Sequence, residues 1–270
     1  MIKDITLGQY FPGRSALHRM DPRMKLLLTI GYIVMLFLVR NPAGFALCAV
    51  FLAAAYLVAR IPMKMIAKSI RPILPIILFT GLLNLFFIEG DPIFSWWIFK
   101  LTKQGIYTSV TMAVRIVLLI AGSSLLTYTT SPIALTDAIE RLLSPLRAVH
   151  FPAHELAMMM SIALRFIPTL IEETDKIMSA QKARGADLES GSLLQRAKAL
   201  IPIMIPLFIS AFRRAEELAL AMECRCYHGG EGRTRMKQLQ FSAVDFWAAG
   251  ATALAIAGII LLNQFLGQPF

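Results

Sequence analysis

The sequence predicts an all-α, polytopic membrane protein: a bundle of about five membrane helices and a cytosolic domain of three amphipathic helices. Three observations predict it. First, 57% of the 270 residues are hydrophobic and 16% are charged, with a mean hydropathy of +0.63. Soluble domains average roughly 45–50% apolar and about 25% charged residues. Second, the apolar residues gather in runs close to the roughly 20 residues a membrane helix needs, and prolines and charges part these runs. Third, residues 130–242 break the pattern, with 14 basic and 12 acidic residues set among apolar stripes of helical spacing. This composition excludes a disordered chain, a disulfide-rich miniprotein and an ordinary soluble enzyme.

The elements follow in order. Residues 1–23 hold Lys3, Asp4, Arg14, Arg19, Asp21 and Arg23 and no apolar core, so no secretory leader is expected there. Met24–Val39 is the first membrane helix. Asp21 can cap its free N–H groups, and Pro22 suits the first helical position. Arg40-Asn41-Pro42 reverses the chain into a second span, Ala43–Ala59. A basic stretch follows, with Arg60, Lys64, Lys68 and Arg71. Pro72–Ile88 is the third span, and its Pro75 and Gly81 are tolerated in a membrane helix. Glu89-Gly90-Asp91-Pro92 reads as a turn, and Trp96-Trp97 as interfacial aromatics. Gly105–Thr129 is the fourth span, with Arg115 near its middle. A charge at that depth faces the bundle or water, which leaves Arg115 two readings: an intramembrane contact, inside the bundle or with a partner, or a side chain that snorkels to a lipid headgroup on a helix set at another depth. Ala243–Leu266 is the last span. The expected divisions are therefore 1–129, N-terminal membrane helices; 130–242, a cytosolic helical domain; and 243–270, a C-terminal membrane helix.

Within 130–242, Ser131-Pro132 can open a helix as cap and first residue. Leu135, Ile139, Leu142, Leu143 and Leu146 then recur at three- and four-residue spacing, and Ser144-Pro145 ends or bends the helix. A second helix is expected from about Ala153 to Ala183 and a third from about Leu193 to Arg225. Their apolar runs, Leu156–Ile171 and Ala199–Phe212, are short for a span. The first contains Arg165 and Pro168, the second Pro202 and Pro206. Both helices are read as packed on each other or on the inner face of the membrane. If both crossed it, the spans would number seven and neither terminus would change sides.

Charge selects the orientation. Residues 1–25 carry a net +3, residues 60–71 a net +4 and residues 130–242 a net +2. With five spans these segments share one side, which the positive-inside rule makes the cytoplasm. The N-terminus is then cytoplasmic and the C-terminus extracytoplasmic. The overall +10 is a topology signal in contact with a lipid bilayer, and no nucleic-acid partner is needed to explain it.

Sites of bond-making chemistry are scarce. There is no Walker A sequence, GxGxxG or Ser/His/Asp set. His150 and His154 have i,i+4 spacing, but Pro152 lies between them and no HExxH surrounds them. Cys224-Arg225-Cys226-Tyr227-His228 lacks the CxxC spacing of a zinc site. Cys48 fits a small packed residue within a span. No metal, cofactor or structural disulfide is expected. Two segments stand out instead: Gln181-Lys182-Ala183-Arg184-Gly185 and Met222-Glu223-Cys224-Arg225-Cys226-Tyr227-His228-Gly229-Gly230. Each puts an arginine in the last turn of a long helix. The macrodipole favours a cation there by about 0.3–1 kcal/mol, and Gly185 can be the left-handed residue that stops the helix.

These segments carry a resemblance. The chain resembles the transmembrane T component of energy-coupling factor (ECF) transporters, which import vitamins and metal ions in prokaryotes. The likeness covers nearly the whole length. It includes Gly8–Ser15, Leu17–Lys25, Thr129-Thr130-Ser131-Pro132 and Leu142–Leu146. Its most specific part is a pair of Ala-Arg-Gly motifs on two long helices. Ala183-Arg184-Gly185 matches outright. The second keeps Arg225, with Tyr227 and Gly229–Arg235 after it, but Cys224 and Cys226 replace its small neighbours. Cys226 has a Cβ where glycine would permit positive φ, so the stop is expected to pass to Gly229-Gly230.

The resemblance implies a non-catalytic subunit in a prokaryotic cell membrane. Two ABC-type ATPase subunits would dock on it, and a small membrane S component would capture the vitamin or other micronutrient. Arg184 and Arg225, with Ala183, Gly185, Gly229 and Gly230 around them, would couple the two ATPases, because a guanidinium offers a rigid fork to carboxylates. Two other readings are weaker. A stand-alone secondary transporter would show an internal repeat and paired broken helices, and no repeat is found. A membrane enzyme would need a convergent polar cluster in the spans, where Arg115 stands alone.

Overall fold

The computed structural model describes residues 10–88, 92–96, 99–145, 151–186, 192–229 and 238–266. Along the chain run α1 (Ala16–Arg19), α2 (Pro22–Leu38), α3 (Pro42–Ala59), α4 (Met63–Ile70), a 3-10 turn and α5 (Leu74–Phe87). Then come β1 (Pro92–Trp96), β2 (Phe99–Thr102), α6 (Lys103–Thr129), α7 (Pro132–Leu143), α8 (Ala153–Ala183), α9 (Leu193–Glu223) and α10 (Ala243–Leu266). The described residues fall into two compact units: those within Gly8–Ala138 and Gln238–Phe270, and those within Ile139–Lys237.

The first unit is a helix bundle around α2, α3, α6 and α10. Its core includes Tyr32, Met35, Leu36, Cys48, Leu52 and Ile259. Tyrosines in this core still find acceptors. The hydroxyl of Tyr32 donates to Leu118 O (3.3 Å), that of Tyr56 to Ala121 O (2.7 Å) and that of Tyr128 to Met65 O (3.0 Å). Gly122 lets α6 approach the Tyr32 ring, because a Cβ there would lie 2.3 Å from it. The outer faces are apolar too, with Leu57 78% and Trp247 81% exposed. In water such a surface would be a liability. In lipid it is the expected exterior.

Both ends of α2 are tied down by side chains. At its start Asp21 caps Arg23 N (2.9 Å), and Asp21 N donates to the buried Asp245 of α10 (2.9 Å). The Arg23 guanidinium reaches the Asp21 carboxylate (2.8 Å) and stacks over Phe241 (4.4 Å). Lys25 Nζ donates to Thr129 O at the end of α6 (2.9 Å) and to His18 O (3.2 Å). At the far end, the carbonyls that a helix terminus leaves unpaired are capped from neighbouring helices. Asn263 Nδ2 donates to Leu38 O (2.8 Å), Arg115 Nη2 to Val39 O (3.0 Å) and Tyr107 Oη to Arg40 O (3.4 Å).

Among the described residues, five helices are long and apolar enough to cross a membrane: Pro42–Ala59, Met63–Phe87, Lys103–Thr129, Ala153–Ala183 and Ala243–Phe265. The number matches the expectation, but the set differs in one member. The segment expected at Met24–Val39 forms α2, whose 17 residues reach about 25 Å, somewhat short of the hydrocarbon core. Helix α8 enters the set through its length. The basic stretch after Arg60 is also helical. Arg60 itself turns left-handed at the end of α3 (φ 56°), and α4 then runs through a 3-10 turn into α5. Where a turn and interfacial aromatics were expected, β1 and β2 form an antiparallel hairpin with Trp96 paired to Phe99. Glu89–Asp91 and Trp97 lie outside the described residues.

Candidate functional site

The second unit is built on α8 and α9. Ser192 opens α9 with a reciprocal cap: its Oγ accepts from Gln195 N, while the Gln195 side chain accepts from Ser192 N. Polar side-chain contacts join α9 to α8. Gln181 Nε2 donates to Pro202 O (3.2 Å). Ser210 Oγ donates to Glu173 in a short hydrogen bond. Arg214 Nη2 pairs with Glu173 at 2.9 Å. Stepping back along α8 from 181 to 173 moves the partner forward along α9 from 202 to 210, so the helices run antiparallel.

Proline spacing accounts for one of these contacts. Within a helix the carbonyl of residue 202 would accept from the N–H of residue 206. Residue 206 is a proline and has none. The Pro202 carbonyl is thereby released, and Gln181 supplies the missing donor.

Both helices end in the same way. Beyond α8, Gly185 N donates to Lys182 O (3.0 Å) and Ala186 N to Gln181 O (3.0 Å), with Gly185 at φ 85°. Beyond α9, Cys226 N donates to Glu223 O (2.9 Å) and Tyr227 N to Met222 O (3.1 Å), with Cys226 at φ 53°. These are two Schellman stops, each placed immediately after an arginine. The expectation that Gly229-Gly230 would take over the second stop is corrected: Cys226 itself adopts the left-handed conformation. Its Cβ makes that unfavourable by about 1–2 kcal/mol, and the two carbonyl bonds offset the cost. Gly229 is left-handed as well (φ 96°) but lies three residues beyond the stop. Gly230 lies outside the described residues.

Arg184 and Arg225 are both exposed, as are Ala183 and Gly185. Neither arginine has an ion-pair partner among the described residues. The structure does not bring them together. In the antiparallel register Arg184 is level with the region around residue 199 of α9. Arg225 lies about 26 positions farther along, or about 39 Å at 1.5 Å per residue. The site is therefore two arginines at opposite ends of one helical hairpin. Arg115 is elsewhere, in the first unit. It lies near the Phe45 and Phe37 rings (5.4 and 5.9 Å) and donates to Val39 O. Its contact is within the bundle.

Sequence reasoning missed Glu173, Ser210 and Arg214. A signal for them existed. Glu173 and Arg214 are 41 positions apart, as are Arg184 and Arg225, and each precedes its arginine by 11 residues, close to three full turns. The clasp and the two arginines thus share a helical phase.

Comparison with known proteins agrees with this architecture. Residues 13–236 match the family model described as Cobalt transport protein. The chain is 54% identical over 263 residues to the Energy-coupling factor transporter transmembrane protein EcfT of Ruminiclostridium cellulolyticum, covering 97% of this chain and 98% of that one. It is 50% identical over 270 residues to the protein of that name from Acidaminococcus fermentans, covering 100% and 97%. The protein of that name from Bacillus subtilis is 45% identical over 262 residues, with 97% of each covered. Near-complete coverage at about half identity, on a multi-pass bundle with a long helical hairpin, leaves one assignment: the chain belongs to the family of transmembrane T components of energy-coupling factor transporters.

Proposed function

We propose that this chain is the scaffold and coupling subunit of an ECF-type importer. It would link ATP hydrolysis by two ABC-type ATPase subunits to movement of a substrate-binding S component, for uptake of a vitamin or other micronutrient. One observation carries the reading. Two helices of a single hairpin end in the same stop, each behind an exposed arginine with no described acidic partner, at sites about 39 Å apart. A macrodipole role explains either arginine singly. It does not explain why both are held at the same point of the same cap. Two separate carboxylate-bearing grooves, one per ATPase, do.

Other features support the same reading. Helix α9 exposes Ile201, Ile205, Phe208 and Phe212. A continuous apolar face of this kind marks contact with protein or membrane, and the S component is its fitting partner. We place residues 130–242 on the cytoplasmic side, where the ATPases are, with a cytoplasmic N-terminus and an extracytoplasmic C-terminus. ATP is hydrolysed by the partners, since the sequence holds no Walker A motif of its own.

Two experiments test this. Co-purification of two ATPase subunits with the intact chain is expected, and release of the ATPases by Arg184→Ala together with Arg225→Ala. Orientation is tested in a chain freed of its native cysteines. An impermeant thiol reagent added outside should label Asp91→Cys and miss Asp187→Cys; the opposite pattern would overturn the placement.

A further inference from the structure

We propose that the membrane bundle carries a built site for one anionic phospholipid, where α1, α2, α3, α6 and α10 converge. Two adjoining recesses form it. One, about 720 Å³, is bordered by Arg14 and Arg60 and by the chain from Phe11 to Ala16. The other, about 430 Å³, is an apolar cleft whose walls include Leu28, Tyr32, Phe51, Leu125, Trp247 and Ala251. Ala16 and Val58 border both, so the basic recess lies directly beside the apolar one.

The shape of the cleft suits an acyl chain. It reaches from Lys25 to Tyr32 on α2, from Val58 back to Phe51 on α3 and from Thr129 back to Gly122 on α6. All three walls start at the same membrane edge and run seven residues, about 11 Å. One leaflet of hydrocarbon is about 15 Å thick. A membrane-spanning partner helix would need a groove along the whole bilayer, and this one stops at Tyr32.

The chemistry agrees. The hydroxyls of Thr29, Thr129 and Thr252 along the cleft all donate to carbonyls of their own helices, so the cleft offers water little. At the mouth, Arg14 and Arg60 have no acidic partner among the described residues. The left-handed backbone of Arg60 (φ 56°) is unfavourable for a residue with a Cβ, and it leaves this side chain beside the recess. Lys25 lines the cleft near this end and spends two of its three N–H bonds on His18 O and Thr129 O. A phosphate between the two guanidiniums would receive charge-assisted hydrogen bonds, with its acyl chain directly below.

The inference needs only that the bundle sits in a membrane. It does not depend on the coupling role, and its test uses no ATPase. The full-length chain in detergent is mixed with equal phosphatidylglycerol and phosphatidylcholine and examined by native mass spectrometry. One phosphatidylglycerol should be retained about tenfold or more over phosphatidylcholine, as two basic side chains near a headgroup imply. Arg14→Gln with Arg60→Gln should abolish the preference. A phosphatidylglycerol carrying a photoreactive acyl chain should label residues 122–129 and 244–252, and Ala251→Phe should suppress that labelling. Ala55→Leu serves as a second filling variant should Ala251→Phe not fold by circular dichroism. Millimolar inorganic phosphate should not displace the lipid. Equal retention of the two lipids, labelling spread over all lipid-facing helices, displacement by phosphate alone, or crosslinking of Ala251→Cys to another membrane subunit in place of lipid would each overturn the proposal.

Discussion

Glu173 should fix the hairpin geometry, and the consequence of neutralising it can be worked out. Glu173→Gln keeps the shape and removes the charge. The pair with Arg214 is short, at 2.9 Å, but the two side chains are 23% and 39% exposed. Solvent screening therefore puts it near the surface range, about 0.5–1 kcal/mol. The Ser210 hydroxyl loses an ionised acceptor and keeps a neutral one, a further loss of about 0.5–1 kcal/mol. The single variant should cost about 1–2 kcal/mol in all. A double-mutant cycle with Arg214→Gln should return a coupling energy of about 0.5–1 kcal/mol. The assay is thermal unfolding of the full chain in detergent, joined to a spin-label distance between positions 184 and 225. In the parent that distance should centre near about 39 Å, and in Glu173→Gln its distribution should broaden. A zero coupling energy with an unchanged distance distribution would refute the idea that this clasp sets the separation of the arginines.

Three further outcomes are expected. Arg115→Ala leaves the Val39 carbonyl without its donor and should destabilise the chain by about 1–3 kcal/mol in detergent unfolding, with ATPase binding unaffected; an unchanged midpoint would contradict the capping role. Cys226→Gly relieves the left-handed backbone and should raise stability by about 1 kcal/mol, read as a shifted melting midpoint with uptake retained. His18 gives a pH dependence. Burial lowers its pKa below the ordinary histidine value; the bond to the Phe11 carbonyl opposes this and the Lys25 charge adds to it. The folded state therefore binds fewer protons than the unfolded one, whose histidine titrates near about 6.5. This contribution is fully present above that pH and is lost as pH falls through the folded value. Stability measured from pH 8 to 5 should decline less in His18→Gln than in the parent.

Much of the fold could be read in the residues, because lipid simplifies the code. A run such as Ala243–Leu266 has one stable backbone solution in hydrocarbon, and α10 has those bounds. The cap residues Asp21-Pro22 and Ser131-Pro132, and the stop at Gly185, act through local chemistry and are visible locally. What was hidden depends on partners distant in sequence. Asp245 stands near a helix start, and nothing local in the sequence shows that it accepts from Asp21 N, 224 positions away. Helix α2, at 17 residues, falls short as a span by a residue or two, which periodicity does not resolve, whereas the apolar run Leu156–Ile171 gave no sign that α8 continues to 31 residues. The hairpin of β1 and β2 lies in a short apolar stretch, Pro92–Thr102, that reads equally as an interfacial loop. At the candidate site, Arg184 and Arg225 were visible because each sits at a stop. That Cys226 bends left-handed was not, since a cysteine gives no positive-φ signal. The Glu173–Arg214 clasp was hidden because charged residues on helices are usually solvated.

The central claim is that each arginine holds one ATPase, and ATPase affinity of the arginine variants tests it most directly. The full chain, its Arg184→Ala and Arg225→Ala forms and the double variant would be reconstituted in nanodiscs and titrated with the ATPase pair. Truncating one side of a buried, hydrogen-bonded charge pair costs about 2–5 kcal/mol, a loss of roughly 30- to several-thousand-fold. A helix-dipole contribution of under about 1 kcal/mol would barely register. The account predicts losses in the first range for each single variant, at least as large for Arg184→Ala as for Arg225→Ala, and poor rescue by lysine, which lacks the fork. The double variant should stay folded in the disc and bind no ATPase. Parent-like affinity in the double variant would contradict the account and leave the two arginines as helix caps.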